Sequence, residues 1–137
     1  MKIMALDVGD RRIGVALSDP TGMLATPVGA VDRVTAQPSA IDEILSIARE
    51  ECADSIIVGL PLSLSGQEGA QARAVRIFVA DLSAQSGLPV DVVDERYSSV
   101  QAQRLLRDTA PRSSRDRGRI DASAAAVILQ AYLDARR

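Results

Sequence analysis

The sequence predicts an α/β fold: a five-stranded mixed sheet, with three antiparallel meander strands plus two parallel strands and helices on both faces. Three observations carry this expectation. Two apolar runs, Ile3 to Val8 and Ile13 to Leu17, are separated only by Gly9-Asp10-Arg11-Arg12. That gap is too short for a helical crossover, so the runs form an antiparallel hairpin. Ser55 to Leu60 is a continuous Ile-Ile-Val run of the kind found in strands covered on both faces. Helical patterns separate the later strands, as parallel connections require. A chain of 137 residues has the size of one domain, expected to span 1–137.

Taken in order, the hairpin is followed by a third strand within Met23 to Val34, where Pro27 and Gly29 argue for an edge position or a bulge. Pro38-Ser39 opens a helix, with Ser39 and Asp42 at capping-box spacing and Ile41, Ile44, Leu45 and Ala48 on one face. The strand at Ser55 to Leu60 leads through a glycine-rich loop into a second helix. That helix carries Ala70, Ala74, Ile77, Phe78 and Leu82, and it ends near Ala84. Pro89 to Val93 reads as another buried strand. A third helix begins at Ser98 and Gln101 and runs through Leu105 and Leu106, and an Ala-rich final helix begins at Asp121. Between them, Pro111 to Arg119 reads as a flexible basic loop. This element order is also that of the ribonuclease H-like fold.

Composition narrows the chemistry. The chain has no histidine, which excludes Ser-His-Asp and Cys-His nucleophilic systems and any His-ligated metal site. Its single cysteine, Cys52, excludes disulfide frameworks and thiolate clusters. Acid–base or metal chemistry therefore falls to carboxylates and to hard cations such as Mg²⁺ or Mn²⁺. The net charge of −2 conceals an asymmetry. Residues 1–95 carry seven Lys and Arg against fourteen Asp and Glu, whereas residues 96–137 carry nine Arg against four acids. A basic final third points to a polyanionic partner, although solvated helices of mixed charge would give the same count. No apolar stretch is long enough to span a membrane and no signal-peptide core precedes Asp7, so a cytoplasmic location is expected.

Three acids stand out. Asp7 interrupts an apolar strand, and burial of a carboxylate costs several kcal/mol unless something compensates it. Capping of the Gly9 turn, where Gly9 can adopt a positive φ, is one compensation. Convergence with other acids is another. Glu95 lies just past the last strand, at the carboxyl edge where ligands bind in such sheets. Asp94 points to the opposite face from Glu95, so only one of the two can meet Asp7. Asp121 opens the final helix, either as a simple N-cap or as a third acid. Ala122, Ala124, Ala125 and Ala126 allow that helix to lie close to the sheet, and Gly14 allows close approach to the second strand. The loop Gly59 to Gly69 could present N–H groups to a phosphate or serve only as a tight connection. A Walker A motif is excluded because the sole lysine is Lys2.

Asp7-Val8-Gly9 with Arg12-Ile13-Gly14-Val15-Ala16 and Ser18-Asp19, then Val58-Gly59-Leu60-Pro61-Leu62 with Gly66, then Asp94-Glu95-Arg96, and finally Asp121 with Ala124-Ala125, Ile128-Leu129-Gln130 and Tyr132-Leu133 together resemble the YqgF/RuvX family. These are nucleases assigned to precursor 16S rRNA and distant relatives of Holliday junction resolvases. The resemblance spans the chain with its motifs in order. Similar Asp-x-Gly hairpins occur in the actin and sugar-kinase superfamily, but that superfamily clamps its nucleotide between two such domains.

The resemblance implies a ribonuclease H-like, metal-dependent phosphodiester hydrolase that trims the 5′ end of precursor 16S rRNA, with Asp7, Glu95 and Asp121 as its acidic trio. Two Mg²⁺ or Mn²⁺ ions would be shared by Asp7, with Glu95 and Asp121 each favouring one. Arg12 and Arg96 are candidates to hold a backbone phosphate. Arg112, Arg115, Arg117 and Arg119 would draw in nucleic acid by counterion release, or else form a solvated linker. Tyr97-Ser98-Ser99 departs from the family's usual Leu-Thr-Thr, and Ser63-Leu64-Ser65 from a more polar segment. Position 124 is Ala where resolvase relatives often carry a fourth acid. The expected partners are precursor rRNA, branched DNA as the alternative substrate, and the ribosomal precursor particle, with the chain a monomer or homodimer. A Holliday junction resolvase and a non-catalytic nucleic-acid-binding domain are the two rival readings. With only Phe78, Tyr97 and Tyr132 as aromatics, recognition should rest on backbone and shape rather than on stacked bases.

Overall fold

The fold comes from a computed structural model that describes residues 1–62, 65–94 and 114–136. Five strands form one sheet: β1 (Ile3–Val8), β2 (Arg12–Ser18), β3 (Ala25–Asp32), β4 (Ser55–Leu60) and β5 (Val90–Asp94). Their spatial order is β3-β2-β1-β4-β5. β1 pairs antiparallel with β2 and parallel with β4, β2 pairs antiparallel with β3, and β4 pairs parallel with β5. The mixed sheet expected from the two short-range connections and two crossovers is thus formed. The bulge anticipated at Pro27 and Gly29 lies on edge strand β3, where the register shifts opposite Val15 and Ala16.

Strand alternation divides the interior in two. Met4, Leu6 and Val8 of β1 join Ile13, Val15, Ile56, Val58 and Leu60 beneath two helices, α1 (Ala40–Glu50) and α2 (Ala70–Ser86). Ile3 and Ala5 face the other way, with Ala16 and Ile57, toward a long helix α3 (Ser114–Ala135). α1 starts as expected. The Ser39 side chain accepts the Asp42 N–H at 3.2 Å and its hydroxyl donates to the Asp42 carboxylate at 2.8 Å, while Ile44, Leu45 and Ala48 are buried.

Four expectations require correction. α3 begins at Ser114, so residues 114–119 of the anticipated basic loop are helical and Asp121 lies inside the helix rather than at its N-cap. α2 buries Ala72, Val75, Phe78 and Leu82, whereas Ala70, Ala74 and Ile77 are exposed. Its apolar residues are spread around the helix, and the sheet selects the stripe that includes Phe78. β5 is only half-buried because it lies at the end of the strand order. Gly9 is not among the glycines with positive φ, which are Gly22, Gly66 and Gly87 among the described residues. The helix expected from Ser98 to Leu106, together with Glu95, Arg96, Tyr97 and Arg112, lies outside the described residues.

Candidate active site

The site is built on the face of the sheet covered by α3. Asp7 continues the alternation of Ile3 and Ala5, so its carboxylate points toward α3, and the residue is 1% exposed. Its partner across the β1–β2 ladder is Gly14. Residues opposed in this way share a face, and at Gly14 that face has no side chain. A Cβ there would stand 1.9 Å from the backbone O of Asp121 and 3.1 Å from the N of Ala122. The helix backbone therefore rests on β2 at the point where Asp7 emerges. Buried Ala122, Ala124 and Ala125 give α3 the small face this approach needs.

Asp121 is also 1% exposed, and its Oδ2 accepts a hydrogen bond from Arg12 Nε at 2.9 Å. Arg12 is the first residue of β2, two positions before Gly14, so its side chain points to the same face. Asp7, Gly14, Arg12 and Asp121 thus form one cluster drawn from β1, β2 and α3. Asp94, on β5, is opposite Leu60 and shares the α1/α2 face with it. Asp94 therefore lies on the face of the sheet away from Asp7.

The turn that presents Arg12 is braced from several sides. Gly9 N–H donates to Arg12 O at 2.9 Å, Arg33 N–H donates to Arg11 O at 2.8 Å, and Arg33 Nη1 donates to Gly9 O at 2.8 Å. The Arg33 guanidinium lies over the Phe78 ring at 5.6 Å, tying the turn to α2. Arg11 pairs with Asp32 at 3.2 Å. The Asp32 carboxyl is held below its ordinary range, chiefly by the Val34 N–H, with the Thr35 N–H and Arg11 adding to the effect.

Other motif residues belong to the frame. The Ser18 hydroxyl accepts the Ile3 N–H at 2.8 Å. Asp19 organises the β2–β3 turn through the Thr21 hydroxyl and the N–H groups of Leu24 and Met23, which together hold its carboxyl far below the usual range. Gln130 on α3 accepts the Ala25 N–H at 2.9 Å and donates to Met23 O at 3.0 Å, fastening α3 to the edge strand. Sequence reasoning missed this brace; the signal was a single amide inside an otherwise apolar helical run.

In the glycine-rich loop, Gly66 has a φ of 87° and Leu62 bridges to Glu68. Gly69 caps α2 without a side-chain hydrogen bond. Glu68 pairs with Arg76, and that contact lowers the Glu68 pKa. The described part of the loop is therefore a braced strand-to-helix connection. Of the basic residues, Arg117 and Arg119 are exposed on the first turns of α3, and Arg115 lies on the same helix. Arg119, Gly118 and Ala122 line a groove of about 450 Å³ against Val28, Gly29 and Ala30 of β3.

The donor chemistry of this cluster fits a hard divalent cation: two buried carboxylates lie on one face of the sheet, and the chain has no imidazole to compete with them. Among the described residues no group of three or more such donors is assembled. Glu95, the expected third, lies outside them.

The sheet order, the crossovers and the carboxylate at the end of β1 define a ribonuclease H-like fold. RuvC of Thermus thermophilus in complex with a Holliday junction substrate superposes with a TM-score of 0.56 at 16% identity, covering 99% of this chain and 95% of that one. A second Thermus thermophilus RuvC structure gives 0.55. The family model described as RuvX, Holliday junction resolvase, matches residues 1–135, and the chain belongs to that family. A relative from Roseiflexus sp. (strain RS-1), named "Putative pre-16S rRNA nuclease", is 44% identical over 136 residues, covering 99% of this chain and 96% of its own. Relatives of the same name from Chloroflexus aurantiacus and Nocardioides sp. are 42% and 44% identical, each with 98% of this chain and 88% of their own covered. No helix among the described residues is long and apolar enough to cross a membrane.

Proposed function

We propose that this protein is a metal-dependent nuclease that hydrolyses phosphodiester bonds at the 5′ end of precursor 16S rRNA, in the cytoplasm and on the ribosomal precursor particle. The observation that carries the reading is the pair of buried carboxylates, Asp7 and Asp121, brought to one face by Gly14. The name shared by relatives at 42–44% identity supports the choice of substrate. Asp7, Glu95 and Asp121 are the proposed ligands, and the position of Asp94 on the far face supports Glu95 over Asp94. Two bound Mg²⁺ or Mn²⁺ ions would supply an activated water and stabilise the leaving oxygen, which makes histidine unnecessary.

The chain's own residues do the rest. Asp7 and Asp121 hold fixed positions because strand and helix backbones, not loops, carry them. Arg117 and Arg119, exposed on α3, provide positive surface along which a polyanion is drawn toward Asp121, and Arg96, Arg112 and Arg115 add to the positive charge of the chain's final third. The edge of β3 and the groove beneath Arg119 offer backbone and small side chains, suited to recognition by shape rather than by base stacking.

The family description keeps branched DNA as the second substrate to be tested. Precursor 16S rRNA carrying its 5′ extension and a synthetic four-way DNA junction are incubated separately with the protein and Mn²⁺. Shortening of the rRNA 5′ end with the junction left intact is the expected result. Symmetric cuts in the junction with the rRNA untouched would replace this reading with the resolvase one.

A further inference from the structure

We propose that Arg12 is a counter-cation of the site that competes with a divalent ion for Asp121, and that the ion's arrival releases its guanidinium toward a substrate phosphate. This rests on the metal-dependent reading above. The Arg12 Nε–H is bonded to Asp121 Oδ2 at 2.9 Å. A divalent ion held by the Asp121 carboxylate would compete for the group that Arg12 already pairs with, and the two cations would repel each other.

Which partner moves is set by packing. Asp121 is fixed: its side chain is 1% exposed, it lies within α3, and the helix backbone presses on β2 where only Gly14 fits. The Arg12 backbone is fixed as well, through the Gly9 N–H and through pairing with Asp32 in β3. Its side chain is 18% exposed and long, so it can swing toward solvent where Asp121 cannot. Once released, a planar guanidinium with five donors at the edge of the site matches phosphate oxygens well. Neighbouring Arg11 differs in each respect: its side chain is 57% exposed, and it pairs with Asp32.

The test is Mn²⁺ titration of the full chain by calorimetry, without nucleic acid, for wild type, Arg12→Gln and Arg11→Gln. Removing the competitor should tighten Mn²⁺ binding at least about fivefold in Arg12→Gln, the size of an ordinary coupling between two ligands. Arg11→Gln should match wild type. In wild-type protein the ¹⁵Nε–H resonance of Arg12 should shift and lose protection as Mg²⁺ is added, a readout that does not depend on any variant folding. Unchanged or weaker Mn²⁺ binding in a folded Arg12→Gln, or an Arg12 resonance indifferent to saturating Mg²⁺, overturns the inference and leaves the nuclease reading standing. Failure of wild type and Arg12→Gln alike to bind Mn²⁺ overturns both.

Discussion

Gly14 on β2 and Asp121 on α3 are packed backbone against backbone, so closely that a Cβ at position 14 would lie 1.9 Å from the Asp121 carbonyl oxygen. No side-chain rotation relieves that contact, because both partners are main chain. Gly14→Ala should therefore push α3 off the sheet and cost about 1–3 kcal/mol or more in urea unfolding. Mn²⁺ affinity should fall with it as Asp121 moves away from Asp7. A Gly14→Ala protein with wild-type stability and wild-type metal binding would contradict the geometry.

The brace at the other side of α3 makes a separable prediction. Gln130→Ala leaves the partly buried Ala25 N–H without its acceptor, a loss of about 1–3 kcal/mol by urea unfolding. Because Gln130 lies more than two helical turns beyond Asp121, metal affinity should stay within about twofold of wild type.

Asp19 gives a pH signature of known sign. Its folded pKa is depressed, first by the Thr21 hydroxyl and then by the Leu24 and Met23 N–H groups. A depressed carboxyl contributes stability that is complete above its unfolded pKa of about 3.9 and is lost as the pH falls toward the lower folded value. The stability gap between wild type and Asp19→Asn should be constant from about pH 7 to pH 5 and should narrow below about pH 4. Urea midpoints across that range check it; a gap that holds constant to about pH 3 would contradict the assignment.

Arg117 is exposed on the first turns of α3, close in sequence to Asp121. If it contacts phosphate, Arg117→Ala should weaken RNA binding about equally for unrelated sequences and lower the slope of log affinity against log salt by about one. Filter binding in Ca²⁺ at several salt concentrations measures both.

Much of this site was legible in the chain. The short gap between the first two apolar runs required a hairpin, Asp7 stood out inside an apolar strand, and the alanines after Asp121 signalled a close-packed helix. What escaped had tertiary causes. Residues 114–119 look like a loop, since a proline precedes them and Gly118 and charges fill them, yet the helix continues through them across β2 and β3. Ile77 has the spacing of a core face until the sheet chooses Ala72 and Val75 to accompany the expected Phe78 and Leu82. The pairing of Arg12 with Asp121 spans 109 positions, and nothing local to either residue signals the other. Arg12 therefore read only as a phosphate contact.

If buried carboxylates make this chain a metal-dependent nuclease, cleavage must depend on both the ion and Asp7. The most direct measurement is the rate of 5′ shortening of end-labelled precursor 16S rRNA by wild type in Mn²⁺, wild type in EDTA, and Asp7→Asn in Mn²⁺. Shortening by wild type in Mn²⁺ alone is predicted, with Asp7→Asn folded but at least about a hundredfold slower. Absence of cleavage by wild type in either Mn²⁺ or Mg²⁺, or equal rates in EDTA or with Asp7→Asn, would contradict it.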